Sequence, residues 1–399
     1  MRYIALAIVS VIAVSAQAKE ISIPAVTIVP VANLATEPMD KRFPNPFPYE
    51  KLPATYKNHY TECPRLHQAL FNEHVRIVKQ DGNHVLVEMP SHYLQTTPHG
   101  KKINRYWSDK RYFLPLTRIP SPSQCIPKPI DFNNPSSIDQ DGIITLTKPF
   151  YHCPTNKSYS TGTRFLAHPH PIYGQCAIIY DPKTRKTHHA PVPATFGCSK
   201  TIPKNQRQKK FVELLQQWIH EDYGNIPYVF GGCSNNFHYP ALNYTTENHS
   251  YKDKVHTNYV LKGKYPPCDT GFDCTGLVLR AAQIAQIPYF FKNTTTLGFH
   301  LRDLTKQQMV EDGDLILIPG HVIVVSDVNK GKAIEARTIR DDYGQIQEVP
   351  ISELFEGINN YNDLQHAHHH RAKLHRLNKK REVIGTFPIR ILKMNSAWQ

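Results

Sequence analysis

The chain has 399 residues, enough for two or more domains, and 47 Lys+Arg against 33 Asp+Glu give it a formal charge of +14. No basic block is interleaved with aromatics, which argues against nucleic acid as a partner, and no stretch beyond the N-terminus approaches the ~20 apolar residues of an integral membrane segment. The basic surplus suits an anionic polymer such as a bacterial envelope, or simply a soluble, lysine-rich surface.

Residues 1–18 carry Arg2, an apolar run from Ile4 to Val14 and the small-residue site Ala16-Gln17-Ala18, the pattern of a secretory signal peptide. The expectation is an exported chain, periplasmic or secreted. Eight cysteines (63, 125, 153, 176, 198, 233, 268 and 274) would then be disulfides by default. If one of them is a reactive thiol, the seven left over are odd in number.

Residues 19–63 are proline-rich and read as an extended N-terminal arm outside any core. Val75 to Met89 holds two β-prone runs around Asp81-Gly82, a hairpin signal. A second set of runs follows in "GIITLTKPF", "GTRFLAH" and "QCAIIYDPKTRKTHHAPV". Two small β-barrel-like units are expected, at 64–135 and 136–203.

From Lys204 the pattern changes to a mixed α+β domain over 204–399. Phe211, Leu214, Leu215, Trp218 and Ile219 share one face of a helix ending near Gly224. Strands are expected at 313–319, 321–328, 332–337, 346–351 and 384–392.

In "GFDCTGLVLRAAQIA" Leu277, Val278, Ala281, Ala282 and Ile284 form a buried face, so Cys274 opens a helix. Unpaired N–H groups and the helix dipole stabilise a thiolate there and supply donors for an oxyanion. A cysteine merely packed at a helix start, or half of a disulfide, fits this stretch equally well. A thiol nucleophile needs a base held by a third group. His321 stands where one apolar strand turns into another, and Glu335 lies inside the apolar run "KAIEAR" on the next strand, costly unless partnered. A neutral core histidine is the alternative for His321.

The stretches "IPYVFGG", "GFDCTGLV", "EDGDLILIPGHVIVV" and "AIEAR" stand in an order that resembles the NlpC/P60 family of papain-like cysteine peptidases. The wider plan resembles its multi-domain Gram-negative members, with two SH3b-like barrels before an α+β papain-like catalytic domain. The resemblance implies Cys274 as nucleophile, His321 as general base and Glu335 in the orienting position, where many members have histidine. It implies Tyr228 near the oxyanion, Asp273 as a carboxylate that in some members meets the free amine of a stem peptide, and Thr275 in place of serine. Tyr228 as a packed aromatic and Asp273 as a helix N-cap are the alternatives.

The implied activity is hydrolysis of the γ-D-glutamyl to diamino acid bond of peptidoglycan stems, by a monomer without metal or organic cofactor. Residues 233–268 form an insertion against the family pattern, closed by a disulfide between Cys233 and Cys268 or left open if Cys233 pairs elsewhere. Trp107 is a candidate contact from the first barrel to the cleft. The His366 to Arg371 tract reads as a solvated basic loop before it reads as a metal site. An amidase or acyltransferase with the same thiol machinery, or an inert wall-binding protein, are the competing functions.

Overall fold

The computed structural model describes residues 21–39, 49, 64–139, 141–172, 174–198, 200–220, 226–235, 270–337 and 344–398. The expected signal peptide, Cys63, Cys268 and most of the 233–268 insertion lie outside the described residues. Among those described, no helix is long and apolar enough to cross a membrane.

The first unit is one antiparallel sheet of β1 (Ile23–Thr27), β2 (Val31–Ala35), β3 (Arg65–Leu70), β4 (His74–Asp81), β5 (His84–Glu88), β6 (Arg105–Asp109) and β7 (Phe113–Pro115). Their order is β3-β2-β6-β5-β4-β1-β7. The expected hairpin is β4–β5, turning through Gly82 at φ +57°, a left-handed conformation that glycine adopts without a Cβ clash. The expectation of an arm outside the core is corrected. β1 pairs with β4 and β7, β2 pairs with β3 and β6, and Ala25, Ala32 and Leu34 are fully buried in the sheet's core.

The second unit comprises β8 (Ile143–Leu146), β9 (Phe150–His152), β10 (Lys157–Tyr159), β11 (Arg164–His170), β12 (Gly174–Asp181), β13 (Lys186–Val192) and β14 (Gly197–Cys198). Five of these make a sheet in the order β13-β12-β11-β8-β14, and β9 and β10 make a ribbon beside it. Its core of Ile144, Leu146, Tyr159, Phe165 and Ile179 takes in Phe71 from the first unit, so the two share packing at their boundary.

The third unit opens with α1 (Lys204–His220), which buries Phe211, Val212, Leu214, Leu215 and Trp218 on the expected face. The short pair β15 (Cys233–Ser234) and β16 (Gly271–Phe272) leads into α2 (Cys274–Ile284), then α3 (Thr294–His300). Next come β17 (Leu315–Ile318), β18 (His321–Asp327), β19 (Lys332–Arg337), β20 (Gln345–Pro350), α4 (Ile351–Leu354), α5 (Tyr361–His369), β21 (Lys373–Leu377), β22 (Val383–Pro388) and β23 (Arg390–Leu392). The main sheet has the order β20-β19-β18-β17-β23, all antiparallel.

That sheet is covered on both faces. Leu315, Leu317, Val322, Val324 and Ile334 share a core with α1 and α2, while Ile316, Ile318, Ile323, Val325 and Ala333 share one with α4 and α5. Double burial is why its strands read as continuous apolar runs and not as alternating ones. The His-rich tract is not a loop: its N-terminal part lies in α5, which opens with an Asn360–Asp363 capping box. The run expected as one strand at 384–392 is two, in different sheets, because Pro388 ends the first.

Candidate active site

Every residue of α2 is buried, which for four full-length aliphatic side chains (Leu277, Val278, Leu279 and Ile284) stabilises by ~1.5–3 kcal/mol each. Asp273 caps the helix, its side chain accepting from the Gly276 N–H. A Cβ on Gly276 would lie 1.9 Å from the Gly232 carbonyl oxygen. Gly276 of "CTGL" therefore lets two backbones touch directly behind Cys274, while a Cβ on Gly232, the second glycine of "YVFGG", would fall 2.4 Å from the Gly271 carbonyl oxygen.

Arg280 is charged and 2% exposed in the middle of this helix. It donates to Glu73 Oε1 at 2.7 Å on the first unit, to the Cys233 carbonyl at 3.1 Å and to Gln283 Oε1 at 3.1 Å. Gly162 of the second unit sits against the same side chain, where a Cβ would fall 2.2 Å from Arg280 Cδ. One buried cation thus fastens both β units to the back of the nucleophile helix.

Cys274 is at the first position of α2 and 8% exposed. His321 is the first residue of β18, at the end of the sheet; its ring hydrogen-bonds Glu335 and faces Cys274 closely enough for the two groups to interact. Its Nε2 lies 2.8 Å from Glu335 Oε2, which leaves Nδ1 as the nitrogen available to the thiol. The two sequence-predicted partners of Cys274 are therefore assembled as a relay.

Glu335 is fully buried, and alternation along β19 explains why it is tolerated. Ile334 and Ala336 face α2, whereas Glu335 faces the other way with Arg337. It is matched across the sheet by Gln347, whose Nε2 donates to Oε1 at 3.2 Å, and Arg376 from β21 donates to Oε2. Arg337 Nη1 is 3.7 Å from Oε1. Burial alone would push this carboxyl up, but the charge of Arg376, with His321 and Arg337, holds it well below the usual carboxylate range.

The same competition runs in reverse at His321. Burial pulls the imidazole down, while its interactions with Cys274 and with the Glu335 carboxylate outweigh it and push His321 up to about 9. The ring is a cation at neutral pH. Arg376 and Gln347 have no motif pointing to them, while Arg337 closes the quoted run "AIEAR" without a role being read for it there.

The remaining expected residues divide. Tyr228 is buried in the same core cluster as Cys274 and is bridged to Phe272, two residues before the nucleophile. Thr275 points inward, its hydroxyl donating to the Lys292 carbonyl at 2.6 Å. Asp273 receives the ammonium of Lys292 at 3.0 Å, and Lys292 is itself 3% exposed. Trp107 lies half-buried on β6 with Lys79 Nζ 5.8 Å from its ring centroid, a contact within its own sheet.

The default expectation of disulfides is corrected for the described cysteines. All six described cysteines are free. Cys233 is fully buried under α2 with its Sγ on the Gly276 carbonyl at 3.5 Å; Cys268, its expected partner, lies outside the described residues. A shallow pocket of about 240 Å³ opens beside the Pro319-Gly320 turn that precedes His321, lined by Thr295, Phe299, Leu317 and Arg390 among others. Cys274 is outside its walls.

No protein-family profile matches the chain, and no curated protein does. Among solved structures it is similar to an NlpC/P60 family protein from Bacillus cereus, at 16% identity and TM-score 0.47, over 82% of this chain and 94% of that one. It is similar to NlpC2 from Trichomonas vaginalis at 10% identity and TM-score 0.31, over 84% and 95% of the two chains. The peptidoglycan hydrolase RipB from Mycobacterium tuberculosis matches at 17% identity and TM-score 0.25, over 48% of this chain and 68% of that one.

Proposed function

We propose that the chain is an exported cysteine peptidase of NlpC/P60 type that cuts the bond between γ-D-glutamate and the diamino acid in peptidoglycan stem peptides. The observation that carries the reading is the relay itself: a cysteine on the first turn of a buried helix, beside a histidine whose Nε2 is held 2.8 Å from a fully buried, ionised glutamate. The choice of bond follows from the motifs around Cys274 and His321, and the two β units are read as SH3b-like on the same ground.

Because His321 holds its proton at neutral pH, it serves first as an acid. The Cys274 thiolate attacks the carbonyl carbon, and the oxyanion is met by the helix-start N–H of Cys274 with Tyr228 beside it. The C–N bond breaks as His321 passes its proton to the leaving amine. The now neutral ring takes a proton from water, hydroxide opens the thioester, and thiolate and imidazolium are restored. Glu335 keeps the ring in one tautomer and orientation throughout.

Asp273 bears on which stems are taken. A carboxylate at this place would recruit a free N-terminal amine, but here Lys292 of the same chain already supplies the ammonium. That favours stems whose N-terminus is acylated in the wall over released peptides. The test is digestion of purified sacculi and of a free L-Ala-γ-D-Glu-diaminopimelate tripeptide, read by mass spectrometry, with Cys274→Ala as control. Cleavage after D-glutamate, faster on sacculi and absent in the variant, is the expected result; cleavage of neither substrate overturns the reading.

A further inference from the structure

The second unit carries a cluster that the peptidase chemistry does not use. β11, β12 and β13 are consecutive antiparallel strands, and His168 on β11 lies directly opposite Cys176 on β12. Cys176 is opposite Pro191 on β13, with His189 two residues away on the same face, opposite Ile178. The alternate residues Ala177, Ile179, Ala190 and Val192 fill the apolar core on the other side of the sheet. Three adjacent strands therefore raise one thiol and two imidazoles from a single face, and their donor atoms all lie within 4.8 Å of one another.

We propose that His168, Cys176 and His189 form a binding site for a divalent first-row metal ion of the zinc type, separate from the catalytic relay. Thiolate and imidazole are ligand types that zinc accepts, here one and two of them, with a fourth position left to water or an added ligand. Tetrahedral bonds of ~2.0–2.3 Å place such donors roughly 3.3–3.8 Å apart. Here His168 Nε2 and His189 Nδ1 are 2.9 Å apart, so an ion parts them by about half an ångström.

The hydrogen bonds fix the tautomers and prepare the site. His168 Nδ1 faces the Pro169 carbonyl at 3.1 Å, and a carbonyl only accepts, so Nδ1 carries the proton and Nε2 offers its lone pair. A backbone carbonyl behind a ligating histidine is the usual way a metal site orients its ring. With no ion, His189 Nδ1–H donates to that Nε2. On binding, His189 moves its proton to Nε2, which is on the exposed side, and Cys176 gives up its thiol proton, so one proton leaves per ion.

The test is an anaerobic cobalt(II) titration of the full chain carrying Cys274→Ala, which removes the catalytic thiol from the count. One equivalent with a thiolate-to-cobalt charge-transfer band, displaced by zinc, is expected. Replacing Cys176 by Ala in that background abolishes the band, and His189→Ala weakens zinc binding by about tenfold or more. Because Cys176 is buried and its loss can disturb the sheet, the exposed His189 gives the second handle, with circular dichroism to show that it still folds. A thiolate band that survives Cys176→Ala, or zinc binding that His189→Ala leaves unchanged, overturns the site.

Discussion

Two carboxylates flank the catalytic pair, Asp273 half-buried and Glu335 fully buried, and they are held in opposite ways. Asp273 is satisfied close at hand, by the N–H of Gly276 three residues on and by Lys292 nineteen residues on. Glu335 is satisfied from a distance: His321, Gln347 and Arg376 lie 14, 12 and 41 residues away in sequence and come from three other strands. The first is a helix cap that happens to sit beside a nucleophile. The second is a charge placed in the interior on purpose, at a cost met only when the whole sheet and the β21–β22 ribbon are in place.

The largest effect that would sharpen this contrast comes from removing Glu335. Glu335→Ala strands Arg376 and Arg337 without their anion and should cost ~3–5 kcal/mol of stability, read by denaturant unfolding. Glu335→Gln keeps an acceptor for the ring and should fold better, yet lose on the order of 10²–10⁴ in kcat/KM. Equal stability in both variants and the wild type would mean that the arginines do not need the carboxylate.

An intermediate effect is expected where the nucleophile helix meets the first unit. Arg280→Met leaves Glu73 without its buried cation and should destabilise by about 3 kcal/mol, while adding Glu73→Leu should return most of it. Additive losses in the double variant would show that the pair does not couple the units.

The smallest effect is on choice of substrate. Lys292→Met frees Asp273 to meet an amine, and should raise cleavage of the free tripeptide relative to sacculi by about tenfold, the scale of ~1.5 kcal/mol for a hydrogen bond to a charged group. An unchanged ratio would remove Lys292 from the account of specificity.

Sequence reasoning reached the local half of this comparison and stopped at the other. Cys274 at a helix start and His321 at a strand start were readable because apolar runs bracket them, and the strands β17 to β20 fall within a residue or two of expectation. Glu335 was readable as a carboxylate needing a partner, but not who the partners are, since Arg376 enters from a ribbon whose first strand has no apolar run. β1 and β2 were missed because Pro24 and Pro30 look like breakers; yet Pro24 pairs in β1 and Pro30 sits in the turn between the strands. α5 was hidden by its histidines, although Tyr361, Leu364 and Ala367 mark a buried face.

The most direct test is the alkaline limb of kcat/KM on a stem-peptide substrate. A histidine raised to about 9 stays charged through neutral pH and loses its proton as pH rises through that value, taking with it both the acid for the leaving group and the stability gained from the pairing. The account predicts a fall in activity centred near pH 9 that moves to lower pH in Glu335→Gln, where one of the raising charges is gone. A limb at the ordinary imidazole range in both proteins would contradict the charged relay.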